Sequence, residues 1–166
     1  MNIRSITTLD RDWAAELVAE HFGTPEIISR GVRHDTRLLP GLIVEVETEK
    51  IGLVHYHILE TRCEVVALIV TRPRQGYGRC LLEELASFAR AKGCHCLWLI
   101  TTNDNRFAQR FYENLGWRRV AVHRGAVAAA RLLKPEISLC AADGTPIEDE
   151  IEYEHELPVS DHPPHA

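Results

Sequence analysis

No apolar run in this 166-residue chain reaches membrane-spanning length, and its first residues, Met1-Asn2-Ile3-Arg4-Ser5-Ile6, lack the long apolar core of a signal peptide. The expected compartment is cytoplasmic. Positive charge is also scarce: 19 Lys and Arg stand against 24 Asp and Glu, a formal net charge of −5. Neutralising nucleic-acid phosphates takes a basic face, so nucleic acid is not the expected partner. The five cysteines, Cys63, Cys80, Cys94, Cys96 and Cys140, are odd in number and lack the spacing of a disulfide framework or a zinc site. Cys94-His95-Cys96 has no second ligand pair elsewhere, so packed, reduced thiols are expected and no metal. There is no internal repeat, and no long glycine fingerprint with an acidic ribose partner, which sets a dinucleotide binder aside.

With 45% hydrophobic and 26% charged residues, the chain has the composition of one globular domain large enough to need no staples. Alternation over 3–6 predicts a short strand. Trp13, Leu17, Val18, His21 and Phe22 then share one helical face, closed near Gly23. Residues 42–47 and 51–58 read as two antiparallel strands turning at Glu49-Lys50. A strand over 64–70 precedes a helix over 78–92 that Gly93 stops. A strand over 96–101 leads to a helix capped by Asn103 or Asp104, carrying Phe107, Ala108, Phe111, Tyr112 and Leu115 and ended by Gly116. A strand over 118–123 follows, then an alanine-rich helix over 125–134 closed by Pro135. The last strand, 151–157, alternates apolar residues with Glu152, Glu154 and Glu156, the pattern of one wet face. Its apolar edges permit a homodimer without requiring one. The domain is expected to span 1–157. Residues 158–166, rich in proline and histidine, read as a disordered tail. The two consecutive strand-to-helix steps imply an α/β fold with a central mixed sheet and helices on both faces.

The most informative words lie in the middle. Val65-Val66-Ala67-Leu68-Ile69-Val70 is an apolar strand, Gln75-Gly76-Tyr77-Gly78-Arg79 a glycine loop, and Leu81, Leu82, Leu85, Ala86, Phe88 and Ala89 a helical face. Gly76 and Gly78 have no Cβ and tolerate positive φ, so consecutive amides of this loop can face an anion together with the helix N-terminus. Arg72, Arg74 and Arg79 add cations. A glycine turn that only redirects the chain would read the same way. Downstream stands Asn105-Arg106-Phe107-Ala108-Gln109-Arg110-Phe111-Tyr112-Glu113-Asn114-Leu115-Gly116-Trp117.

In order and spacing, these two segments resemble the GNAT acetyltransferases. Their second signature, Asn-x-x-Ala-x-x-Phe-Tyr-x-x-x-Gly-Phe, is met by Asn105, Ala108, Phe111, Tyr112 and Gly116, with Trp117 as the aromatic. Residues 99–105, 125–127 and 149–152 also resemble a bacterial subgroup of that family. One departure stands in the loop. The family places Gln or Arg three residues before the first paired glycine, and here that position is Pro73, which has no N–H to donate.

The resemblance implies the GNAT fold and acetyl-CoA as cofactor. Its pantetheine arm would pair with the main chain at Leu68 and Val70 where two central strands splay, and its pyrophosphate would sit on Gln75, Gly76, Tyr77, Gly78 and Arg79, beside Arg74. Asn105 would contact the arm, although it suits a helix cap equally well. Tyr112 would protonate the leaving thiolate. Glu64, where several members carry a base, would deprotonate the amine. Strand parity puts it on one face with Val66, Leu68 and Val70. A solvated strand-end glutamate is the alternative, and Glu45, His55 and His57 are further bases. His123 and Arg124 are candidates to line the acceptor site, and 124–148 to cover it. The implied activity is transfer of acetyl to a primary amine of a small molecule or protein by direct attack. No cysteine has the histidine and acid partners a nucleophile needs. The competing reading is a module that binds acyl-CoA without turnover.

Overall fold

The computed structural model describes residues 1–159; the rest of the expected tail, 160–166, lies outside the described residues. Nine strands and four helices follow one another as β1 (Asn2–Ser5), α1 (Arg11–Phe22), β2 (Glu26–Ser29), β3 (Val32–Asp35), β4 (Gly41–Val46), β5 (Glu49–Leu59), β6 (Arg62–Val70), α2 (Tyr77–Ala91), β7 (Cys96–Thr102), α3 (Arg106–Asn114), β8 (Arg118–His123), α4 (Ala126–Leu133) and β9 (Glu150–Glu156). Seven strands form one sheet in the order β1-β4-β5-β6-β7-β9-β8, and β2 and β3 form a separate hairpin. Every pairing in the large sheet is antiparallel except β6 with β7, so the mixed α/β architecture is as expected.

The helical periodicities place the cores. In α2, Leu81, Leu82, Leu85 and Ala89 turn one face onto the sheet beside Val44, Val54, Leu97, Leu99 and Tyr112. On the opposite face Ala14, Leu17 and Val18 of α1 pack on Ile43, Leu53 and Ile69. Helices therefore cover both faces. Among the described residues no helix is long and apolar enough to cross a membrane.

Several local expectations are corrected. The turn between β4 and β5 is Glu47-Thr48, because Val46 pairs with Glu49 and Glu47 takes a φ of 58°. Glu49 and Lys50 are already strand. The hairpin β2–β3 was not legible: its strands are four residues each and its turn is Arg30-Gly31, with φ of 48° and 76°. Two positive φ values make the mirror-image turn that matches strand twist, but an arginine at the first position hides the signal. The last strand, β9, lies between β7 and β8, so its apolar positions form no sheet edge; the edge belongs to β8.

The fourth correction concerns faces. His55 pairs with Ala67 while Tyr56 pairs with Val65, so Val66 is a bulge in β6. One extra residue inverts the alternation. Glu64, opposite His57, lies on the α1 face with Ile69, whereas Leu68 and Val70 lie on the α2 face.

Candidate active site

Strands β6 and β7 share only three pairs, Arg62 with Cys96, Cys63 with Leu97 and Glu64 with Trp98. Beyond these rungs β6 continues on β5 and β7 on β9, so the two strands diverge and leave facing main-chain edges unpaired with each other. The wedge opens into a cleft of about 840 Å³. Its walls are 65–68 of β6, 99–102 of β7 and the start of α3 with Tyr112 on one side; α1's end, β2, α4, the strap over 136–147 and Glu150 close the other.

At the wide end of the wedge, the chain turns into α2. Gly76 is the helix N-cap with φ of 82°, and Arg74 is also left-handed at 63°. Gly78 takes no positive φ. It lies within α2, where a Cβ would sit 3.2 Å from Cζ of Phe111, so its bareness serves the contact between α2 and α3. The Cys80 amide donates to the Gly76 carbonyl at 3.0 Å, which leaves the amides of Tyr77, Gly78 and Arg79 ahead of the first intrahelical bond. Two of the three expected cations are engaged: Arg72 pairs with Glu49, and Arg79 with Glu83 at 2.7 Å. Arg74 is exposed and makes no ion pair among the described residues.

Asn105, not Asn103 or Asp104, caps α3: its Oδ1 accepts from the Ala108 amide at 3.1 Å. It also lines the cleft. Asn103 is a stitch instead. Its Nδ2 donates to the Pro146 carbonyl at 2.8 Å, and its Oδ1 accepts from the Glu148 and Asp149 amides at 2.9 and 3.0 Å. The strap is thereby tied to the end of β7.

Tyr112 is buried in the cleft wall, edge-on to Phe111 at 5.1 Å and tilted against Trp117 at 5.2 Å. Desolvation pushes its phenol above the usual value, so it holds its proton across the neutral range. Glu64 is buried under the β2–β3 hairpin, its Oε2 3.2 Å from Nε2 of His34, whose ring lies 5.3 Å from that of His57. A solvated strand-end glutamate is therefore excluded.

The runner-up bases fare differently. Glu45 is held by Arg4 at 2.7 Å, which keeps its carboxyl below the ordinary range. His55 is fully buried, with Nδ1 3.3 Å from the Pro40 carbonyl and Nε2 unpartnered; burial lowers its pKa to about 4. His123 sits 3.4 Å from Glu152, and neither it nor Arg124 lines the cleft. Sequence reasoning missed His34, Glu150 and Lys134. Glu150 is buried and grips the hairpin turn, accepting from the Arg30 amide at 3.3 Å and from Nη1 of Arg30 at 3.1 Å. Lys134 is buried, with Nζ donating to the carbonyls of Phe22 and Glu26 at 2.8 and 2.7 Å, and desolvation lowers its pKa. Only a recognisable hairpin turn would have signalled this wall, and Arg30-Gly31 concealed it.

Burial pushes the Cys63 thiol up to about 12 and raises that of Cys94. All five thiols are free.

The sequence model of the Acetyltransferase (GNAT) family matches residues 6–117. The uncharacterized protein YxbD of Bacillus subtilis (strain 168) is 33% identical over 158 residues, 95% of this chain and 99% of that protein. YdhI of the same organism, also uncharacterized, is 39% identical over 137 residues, 82% and 86% of the two chains. Among solved structures, a GNAT family acetyltransferase from Elizabethkingia anophelis with acetyl-CoA bound superposes with a TM-score of 0.66 at 18% identity, covering 94% of this chain and 97% of that one. The family match takes in the β6–β7 wedge, the amide end of α2 and the α3 signature together, and the chain belongs to the GNAT acetyltransferase family.

Proposed function

We propose that the protein is an acetyl-CoA-dependent N-acetyltransferase that acetylates a primary amine by direct attack within a ternary complex. The observation that carries this reading is the three-rung β6–β7 ladder, which diverges over the cleft beside the amide end of α2. The pantetheine arm is an extended chain of amides. Laid in the wedge it finds main-chain partners near Leu68 and Val70 on one side, while the pyrophosphate meets Gln75, Gly76, Tyr77, Gly78 and Arg79, with Arg74 as the uncommitted cation. Asn105 keeps its Nδ2 available for the arm because the cap uses only Oδ1.

The amine lone pair forms the C–N bond at the thioester carbonyl, the C–S bond breaks, and the nitrogen gives its surplus proton to solvent as the neutral amide forms. The leaving thiolate takes the proton of Tyr112, and solvent restores it. Burial keeps this phenol protonated until transfer and also makes it a weaker acid, so the proton moves only as charge develops on sulfur. Glu64, held by His34 next to the cleft-wall residue Val65 but not itself lining the cleft, is the proposed final acceptor of the ammonium proton, reached through water. The raised thiols of Cys63 and Cys94 support direct attack over an acetyl-cysteine.

Calorimetric titration with acetyl-CoA, coenzyme A and NAD is the first test: binding of the two coenzyme A species and not NAD is expected, and no binding would remove the phosphate-cradle reading. Tyr112→Phe then separates turnover from binding. The expected outcome is a fall in kcat of about 10²-fold with coenzyme binding retained. A second reading, an acyl-CoA-binding module without turnover, draws on one observation, that the Glu64 carboxylate is already engaged by His34; coenzyme binding with no product in the parent would favour it, whereas unchanged product formation in Tyr112→Phe would remove only Tyr112 as the proton donor.

A further inference from the structure

Glu64 stands at the apex of the wedge. Its pairing with Trp98 is the last of the three β6–β7 rungs, and from Val65 onward β6 borders the cleft. An arm whose pyrophosphate sits at the wide end, on α2, points its thioester toward this rung. The carboxylate is on the α1 face of the sheet, whereas Tyr112 belongs to the core on the α2 face. The nitrogen therefore sheds its proton on one face while sulfur gains one on the other.

A carboxylate buried at this point needs a partner. Among the described residues its one ion-pair partner is His34, whose Nε2 lies 3.2 Å from Oε2. The two side chains come from separate sheets, His34 from the β2–β3 hairpin and Glu64 from β6. Each stands one step behind the cleft wall: Val65 follows Glu64, Ile27 is the register partner of His34, and both Val65 and Ile27 line the cleft. His57, half-buried and opposite Glu64 on β5, backs the His34 ring at 5.3 Å. The other charges nearby are engaged elsewhere. Arg62, two residues back on β6, pairs with Glu154 at 2.6 Å, and on the hairpin Glu26 and Asp35 pair with Arg33 and Arg37, each at 2.8 Å. A buried ion pair is a weak source of stability because desolvation offsets the attraction, and apolar residues of the same size would seat the hairpin as well. What only the pair supplies is a carboxylate held in one orientation.

We propose that His34 is a positioning residue for proton removal: its Nε2–H, turned toward Oε2, fixes the Glu64 side chain and leaves Oε1 to take up, through water behind Val65, the proton that the nitrogen sheds. This rests on the N-acetyltransferase reading above and gives its base a dedicated partner. The proton balance is unchanged. One N–H bond breaks as water accepts the proton, one O–H bond forms at Oε1 as that water passes it on, and Oε1 returns it to solvent once the amide has left. His34 keeps its own proton throughout, so its contribution is orientation and not transfer.

The test compares ethylamine with trifluoroethylamine, amines of similar bulk and very different basicity, with acetyl-CoA turnover read by thiol release and product mass. Near neutral pH ethylamine is mostly protonated and depends on a base, whereas its fluorinated counterpart is mostly neutral and does not. His34→Phe keeps a ring in the hairpin and removes the N–H. It should lower kcat/KM for ethylamine about tenfold or more and that for trifluoroethylamine by less than about threefold, with the KM for acetyl-CoA unaltered. His34→Gln returns an N–H to Oε2 and should recover most of the loss. In a Glu64→Gln background, His34→Phe should cost little further, because the two act as one unit. Equal losses with both amines would make His34 only a clamp on the hairpin and overturn the inference, leaving the acetyltransferase reading intact. If His34→Phe does not fold, nitrogen NMR of the parent bound to coenzyme A decides: a proton on Nε2 of His34, perturbed by Glu64→Gln, is expected, and an unprotonated Nε2 overturns the inference. No turnover of either amine by the parent, with coenzyme A bound, would overturn the inference and the acetyltransferase reading together.

Discussion

His55 should make the fold acid-sensitive from about pH 6.5 downward, starting well above the range in which ordinary carboxylates titrate. The side chain is wholly buried in the middle of β5, its Nε2 has no partner, and its pKa is lowered from 6.5 to about 4, chiefly by desolvation. The Pro40 carbonyl opposes the shift and the charge of Arg11 adds to it. In the unfolded chain the imidazole takes a proton near pH 6.5, and in the native state it resists until about pH 4, so the unfolded state binds more protons between those values and stability is lost as the pH is lowered through them. Working the linkage through a shift of this size gives a loss of about 2 kcal/mol between pH 7.5 and pH 5 and about 3 kcal/mol by pH 4. Above pH 6.5 the group contributes almost no pH dependence. Asp10 acts elsewhere on the scale: Arg4 at 2.7 Å and Lys50 at 2.8 Å hold its carboxyl far below the usual range, so its contribution is lost only in stronger acid. The assay is urea unfolding at half-unit steps from pH 7.5 to 4.5, for the parent and for His55→Leu, comparing slopes with pH and not absolute stabilities. The parent should lose about 2 kcal/mol more than the variant by pH 5. Equal slopes would show that protonation at His55 is not linked to folding and would refute the reasoning.

Three further outcomes follow from the site. Gly76→Ala forces a Cβ onto a residue with φ of 82°, at a cost of about 1 kcal/mol read in urea melts, and should weaken coenzyme A binding by disturbing the amides that follow. Asn103→Ala removes three hydrogen bonds from the strap; a stability loss of about 2 kcal/mol is expected, with faster amide exchange confined to 137–149 and a higher KM for the amine. Glu64→Gln keeps an oxygen for His34 but removes the carboxylate: if Glu64 is the base, kcat/KM falls about 10²-fold with unaltered melting, whereas a lower melting temperature with normal turnover would make it only a clamp on the hairpin.

Long periodic segments were legible in the sequence, and short or inverted ones were not. Helices α2 and α3 and strands β6 and β7 declared themselves because their helical periods or unbroken apolar runs extend along the element, and the α3 signature pointed to Tyr112, which lies in the cleft wall. Elements β2 and β3 are too short to show a period, and their turn begins with Arg30, which gives no hint that it will adopt positive φ. With the hairpin unseen, His34 could not be placed over Glu64, nor Arg30 on Glu150. Parity failed at Val66 for a related reason: one inserted residue leaves composition and run length untouched while exchanging the two faces beyond it. The assignment of Asn105 is instructive in another way. Cap and ligand were alternatives in sequence because one residue type serves both, and the structure shows one oxygen used and the amide nitrogen left over.

The three-rung ladder also bears on how the protein persists. Two half-sheets, β1-β4-β5-β6 and β7-β9-β8, are joined in the middle by fewer rungs than any long pairing within either half. A molecule that fills the wedge therefore acts as a missing strand and fastens the halves. Under saturating cofactor, at about a hundred times Kd, linkage adds about 2.7 kcal/mol to folding. Resistance to unfolding then rises with the concentration of whatever fills the wedge.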